Sequence, residues 1–95
     1  MIAEIQYMQK SKVYRIKNRK TNFYLTSGEE VTLTELNKNK ISQLWLFDEV
    51  KPTAYEIVSL QSGTVLTRGE KITIQKGDWS SNQFWKLHRA EITKN

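Results

Sequence analysis

The sequence contains no cysteine, a single histidine, a single proline and four glycines among 95 residues. Without cysteine no disulfide can hold the fold, and no thiolate is available as nucleophile or metal ligand. His88 alone cannot build a multi-histidine metal site, and it has no cysteine with which to form a Cys–His pair. The glycines are isolated from one another, which excludes a glycine-rich phosphate loop. Pro52 lies in Lys51-Pro52-Thr53, a place where a missing N–H breaks no strand ladder. No apolar run has the length of a membrane span. Residues 1–7 lack the basic-then-apolar pattern of a secretory leader, so a cytoplasmic location with no membrane partner is expected. Ninety-five residues are read as one domain, 1–95, whose modest core must be reinforced by aromatic packing or by a partner subunit.

What the sequence does have is positive charge and a repeat. The net charge is +5, and Lys10, Lys12, Arg15, Lys17, Arg19 and Lys20 fall close together. Two readings are open for this segment. It is a solvated strand surface that resists sheet-to-sheet aggregation, or it is a surface for nucleic acid or another polyanion.

The repeat is read by aligning four blocks. The first copy runs Val13-Tyr14-Arg15-Ile16, Phe23-Tyr24-Leu25-Thr26, Glu30-Val31-Thr32-Leu33 and Gln43-Leu44-Trp45-Leu46. The second runs Ala54-Tyr55-Glu56-Ile57, Thr64-Val65-Leu66-Thr67, Lys71-Ile72-Thr73-Ile74 and Gln83-Phe84-Trp85-Lys86. The offset is 41 for Tyr14/Tyr55 and Leu25/Leu66 and 40 for Gln43/Gln83 and Trp45/Trp85, so one deletion in the last loop aligns both copies. Repeat one is taken as 13–50 and repeat two as 54–92. Each block reads as a strand: Tyr14/Ile16 alternate with Arg15/Lys17, Val31/Leu33 with Thr32/Thr34 and Ile72/Ile74 with Thr73/Gln75, and period two with β-branched and aromatic residues is the signature of a strand. Turn formers separate the blocks: residues 18–22, 27–29, 61–63, 68–69 and 76–78. Residues 33–41 are read as a loop before the fourth strand, residues 1–9 as a strand, and residues 92–95 as a frayed tail.

Four short strands closed by Gln-x-Trp, at Gln43-Leu44-Trp45 and Gln83-Phe84-Trp85, resemble the ricin B-type lectin repeat. The resemblance covers residues 13–88. It implies an all-β fold, a β-trefoil-like barrel, here built from two Gln-x-Trp repeats with the third unit missing, degenerate or supplied by another subunit. Self-association is therefore an expectation, because a repeat unit cannot bury its apolar face alone. The resemblance also implies that Trp45 and Trp85 are buried anchors, each covering roughly 150–250 Å², and that the amides of Gln43 and Gln83 tie neighbouring backbone together.

A sugar pocket in that family uses an Asp after the second strand's Leu, a stacking ring near the third strand, and an Asn before the Gln-x-Trp. Those positions hold Thr26, Glu35 and Ser42 in the first copy, and Thr67, Gln75 and Asn82 in the second. Only Asn82 matches. The second copy does place Asp78, Trp79 and Asn82 within five residues, a carboxylate, an indole and an amide beside the last strand. A carboxylate accepts from vicinal hydroxyls, and a ring packs on the C–H face of a sugar. The candidate ligand site is thus Asp78, Trp79, Asn82, Thr67 and Gln75, for a carbohydrate or a protein partner. The competing reading packs Trp79 over the barrel end.

Catalysis, cofactors and metals are not expected. The paired carboxylates Glu29-Glu30 and Asp48-Glu49 are sequence neighbours whose side chains point apart, and no nucleophile motif accompanies His88. Three functions remain: a carbohydrate-binding module, a protein-interaction module that lost sugar chemistry, and a polyanion-binding surface built on residues 10–20.

Overall fold

The computed structural model describes residues 3–7, 12–86 and 91–94, with side-chain detail over residues 12–86. Ten strands form one curled sheet. The first copy supplies β2 (Val13–Asn18), β3 (Tyr24–Thr26), β4 (Thr32–Thr34) and β5 (Trp45–Lys51). The second supplies β6 (Ala54–Ser59), β7 (Val65–Thr67), β8 (Thr73–Gln75) and β9 (Trp85–Lys86). Outside the copies lie β1 (Ala3–Tyr7) and β10 (Glu91–Lys94). The strand expected over residues 1–9 is therefore present as β1. The tail expected to fray is instead β10, which pairs in parallel with β1 from Glu4/Glu91 to Tyr7/Lys94. Its backbone groups find partners there, and β-branched Ile92 and Thr93 suit a strand.

The sheet path runs β10-β1-β2-β5-β6-β7-β8, with β3 and β4 hanging from β2 and β9 lying on β6. Followed through the antiparallel ladders, β9 and β10 point the same way. The strands β1, β2, β5, β6, β9 and β10 thus bend round a common interior. The hairpins β3–β4 and β7–β8 project to one end. The linker between copies is a tight hairpin turn at Pro52 and Thr53, where Thr53 adopts φ 63°.

The two copies repeat each other down to individual hydrogen bonds. Asn22 N–H donates to Asn18 O, and Gly63 N–H donates to Ser59 O 41 positions later. Both turns need a left-handed residue, and Asn22 (φ 63°) and Gly63 (φ 73°) supply it. The indole N–H of Trp45 donates to Leu25 O at 3.0 Å, and that of Trp85 to Leu66 O at 2.9 Å. The Gln residues do not sit in strands as the block alignment implied. Each closes a 3-10 turn, Ile41–Gln43 or Ser81–Gln83. A short turn aims the Gln amide sideways into the hairpin loop, which a strand position would not do.

Six side chains form the core: Ile16, Leu25, Trp45, Phe47, Ile57 and Leu66. Tyr14 and Tyr55 pack their rings against Phe47 at 4.9 and 6.3 Å between centroids. The Trp anchors are unequal. Trp45 is wholly buried, whereas Trp85 is only half-buried. The reason lies in what flanks each copy. Beside Trp45, the hydroxyl of Ser59 on β6 donates to Ser27, whose hydroxyl and N–H both donate to Ser42 O, so the second copy seals the first. At the equivalent edge of the second copy Arg68 replaces Ser27. Its guanidinium lies 5.0 Å from the Trp85 ring and donates to Phe84 O and Ser81 O. A long cation thus covers part of an indole that is only half-buried.

Candidate functional site

The candidate site is built by Gln83. Its side-chain oxygen accepts from Asp78 N–H at 3.0 Å, and its amide nitrogen donates to Lys76 O at 3.0 Å and Thr67 Oγ1 at 3.3 Å. One buried amide therefore clamps both sides of the loop after β8. Gln43 does the same in the first copy, accepting from Asn37 N–H and donating to Glu35 O, Thr34 Oγ1 and Thr26 Oγ1. Buried amides of this kind are costly to leave unpaired, so the loop conformation is well determined.

Within the clamped loop, Asp78 Oδ1 accepts from Ser80 N–H at 3.0 Å. Ser80 Oγ donates to Asn82 Oδ1, and Asn82 Nδ2 donates to Arg68 O at 3.3 Å. Trp79 lies between Asp78 and Ser80, both of them tied down, and is forced to φ 63°. For a bulky residue this is a strained region, and such strain persists only where surrounding bonds impose it. The ring projects outward and is 70% exposed. Its one ring contact among the described residues is an edge-to-face approach to Phe84, 6.1 Å between centroids and 78° between planes. Phe84 in turn carries the Lys51 ammonium 5.4 Å from its centroid.

The sequence-derived set divides cleanly. Asp78, Trp79 and Asn82 stand together on this loop. Gln75 is exposed on β8, where it donates to Thr73 Oγ1. Thr67 does not belong with them: it is 2% exposed, donates to Val65 O and accepts from Gln83, so its hydroxyl is fully used inside the fold. Trp79 does not pack over the barrel end. Sequence reasoning missed Phe84, the variable residue of Gln-x-Trp, which faces outward because Gln83 and Trp85 face inward. It also missed Glu56, whose carboxylate lies 3.9 Å from where a side chain on Gly77 would begin. The first copy has no matching ring, because Lys38 follows Asn37 where Trp79 follows Asp78.

Of the basic candidates, Lys12, Arg19 and Lys20 are exposed and Lys17 is half-buried, but Arg15 is only 5% exposed. Arg15 thus leaves the proposed polyanion surface. It is buried on the face of β2 opposite the core residue Ile16, in register with Gln6 of β1. Lys10 and His88 lie outside the described residues. Among the described residues, no cluster of three or more His, Cys, Asp or Glu could hold a metal ion, and no helix is long and apolar enough to cross a membrane.

Two carboxyls near the loop are shifted in opposite directions. Burial, then the charges of Asp48 and Asp78, push Glu56 above the usual carboxylate range. The hydrogen bonds from Ser80 hold Asp78 below it. A folded-state pKa above the unfolded value means that ionised Glu56 opposes folding once pH rises past its ordinary value of 4.5. Asp78 works the other way: its contribution is present at neutral pH and disappears as pH falls through its depressed folded value. Glu56→Gln is therefore expected to raise the thermal midpoint near pH 7 and leave it unchanged near pH 3. Calorimetry at the two pH values checks this, and equal midpoints for both proteins near pH 7 would remove the claimed repulsion.

No family model matches this chain, and no relative was found among curated proteins. Solved structures do match. The designed three-fold symmetric protein ThreeFoil superposes with a TM-score of 0.74 at 14% identity, over 88% of this chain and 69% of that one. SeviL, solved bound to asialo-GM1 saccharide, gives 0.78 at 17% identity over 93% of this chain and 70% of that one. The BEL β-trefoil gives 0.72 at 18% identity over 88% and 66%. The chain folds as a β-trefoil-like fragment. It spans about two thirds of the length of each of these proteins. Strands β2–β5 and β6–β9 repeat one another, and β1 and β10 extend the same sheet beyond β2.

Proposed function

We propose that this chain is a non-catalytic ricin B-type recognition module, one domain over 1–95 with repeats at 13–50 and 54–92, that binds a carbohydrate through the Trp79 loop. The observation that carries the reading is the Trp79 indole: strained in its backbone, 70% exposed, and set beside an ionised carboxylate. An aromatic face stacks on the C–H face of a pyranose. The exposed Asp78 carboxylate would accept from sugar hydroxyls, and Asn82 stands with it on the same loop. The trefoil fold shared with SeviL, whose structure holds a saccharide, supports the reading. The site is not the family's own pocket, since Thr67 occupies the Asp position and is buried. One ring and one carboxylate on an open surface imply weak binding per site, a Kd of about 1 mM, or roughly −4 kcal/mol.

A glycan array, whose dense display compensates for weak single-site affinity, tests this directly. The wild-type chain is expected to give signal on a restricted set of glycans, and Trp79→Ala and Asp78→Asn to lose it. A blank array at high protein concentration would retire the reading. One observation favours a second function, a protein-interaction module: both hydroxyls at the family's Asp positions, Thr26 and Thr67, are engaged by Gln amides. In that case a pull-down would recover one stoichiometric partner, and Trp79→Ala would release it.

A further inference from the structure

The Trp79 loop lies at one edge of a wider surface on the outer side of the sheet. Its Gly77 rests on β6 and β7: a side chain starting there would begin 3.9 Å from the Glu56 carboxylate and 3.3 Å from a Val65 methyl. Directly opposed residues of an antiparallel pair share a face. Asp48 of β5 is opposed to Glu56 of β6. On the other side of β6, the pairing of Tyr55 with Trp85 brings Phe84, one residue earlier, alongside Glu56. Tyr55, Ile57 and Trp85 pack on the core, so Asp48, Glu56 and Phe84 face outward as a row. A second outward row lies beside it. Lys51 and Lys86 are both opposed to Ala54, one on each side. The Lys51 ammonium leans back to 5.4 Å from the Phe84 centroid.

Asp48, Lys51 and Lys86 are exposed, and Glu56 and Phe84 are half-buried. Among the described residues no salt bridge joins the two rows. From Asp48 to Phe84 the surface spans two strand spacings, about 10 Å, and Trp79 adds its ring 6.1 Å from that of Phe84. This footprint is longer than a single pyranose ring. Its acceptor carboxylates and donor ammoniums stand side by side. A hydroxyl donates to the first and accepts from the second, whereas a polyanion suits only the ammoniums and a polycation only the carboxylates. Resting on the carbohydrate reading of the Trp79 loop, we infer that the ligand is an oligosaccharide of two or more residues. Its first residue stacks on Trp79, and the following ones run from Phe84 across β6 toward Asp48, between the acidic row and the basic one.

An array printed with monosaccharides beside their own di-, tri- and tetrasaccharides, probed over a range of protein concentrations, tests this. Wild-type binding is expected to tighten about tenfold from mono- to trisaccharide, the size of one hydrogen bond to a charged group. Phe84→Ala and Asp48→Asn are each expected to lose that gain, so that trisaccharides bind no better than monosaccharides. Trp79→Ala is expected to lose signal at every length. Asp48 is exposed, so Asp48→Asn should fold, and a circular dichroism melt verifies both variants. Monosaccharides that bind as tightly as trisaccharides, with all signal lost in Trp79→Ala, would overturn the extended site and leave the Trp79 reading standing. A length dependence unchanged in both Phe84→Ala and Asp48→Asn would overturn it as well. An array blank at every length would retire the Trp79 reading and the extension with it.

Discussion

Replacing Trp45 with alanine is expected to remove most of the chain's stability at room temperature and bring its urea midpoint close to zero. The indole is completely buried, touches the core formed by Ile16, Leu25, Phe47, Ile57 and Leu66, and donates its N–H to Leu25 O. Truncating a buried Trp costs about 3–5 kcal/mol through lost transfer energy and the cavity left behind. The stranded Leu25 carbonyl adds about 1–3 kcal/mol if water cannot reach it. Small domains hold a total of about 5–15 kcal/mol, and one of this size sits toward the low end. The same change at Trp85 is expected to cost about half as much, because that ring is half-exposed and covered on one side by Arg68. Urea titration followed by circular dichroism measures both. Equal midpoints for Trp45→Ala and Trp85→Ala would show that the two units are energetically interchangeable, contrary to the asymmetry described above.

The second large effect concerns Trp79, where function and stability should separate. Removing its ring is expected to lower glycan affinity at least tenfold, equivalent to about 1.4 kcal/mol. Stability should respond mainly to the backbone. A non-glycine residue in the left-handed region costs about 1–2 kcal/mol, and glycine removes that strain while making the unfolded chain more flexible. Trp79→Gly is thus expected to stay within about 1 kcal/mol of wild type and to be more stable than Trp79→Ala. Both variants should fail equally in binding. A Trp79→Ala variant that binds normally would detach the loop from recognition, and one that is more stable than Trp79→Gly would contradict the backbone argument.

Much of the scaffold was legible from the residues. The four blocks of each copy located the eight strands of the two units, seven of them to within about two residues at either end, whereas β5 runs five residues past its block to Lys51. What the sequence could not report was which neighbour covers each unit. Trp45 and Trp85 look equivalent in the alignment, and only the Ser27–Ser42–Ser59 network on one side and Arg68 on the other make them different. Arg15 reads as a surface cation by its charge and by its place on the face opposite Ile16, yet it is buried. At the site, Asp78, Trp79 and Asn82 were found together by simple proximity in sequence. Thr67 was carried over from a family position and proved to be an internal ligand of Gln83. Phe84 caps the 3-10 turn just after the loop, and Glu56 reaches the loop from β6, a juxtaposition that no local pattern encodes.

The central claim is that two of the three tryptophans are structural pillars and the third is the recognition element. The indole N–H resonances of the three residues, followed in 15N-labelled protein during titration with a glycan selected on the array, test it most directly. The account predicts that one indole signal moves and saturates, that this signal is the one missing from Trp79→Ala, and that the Trp45 and Trp85 signals stay in place and exchange slowly with solvent because each is bonded to a backbone carbonyl. Movement confined to Trp45 or Trp85, with Trp79 unchanged at saturation, would contradict it.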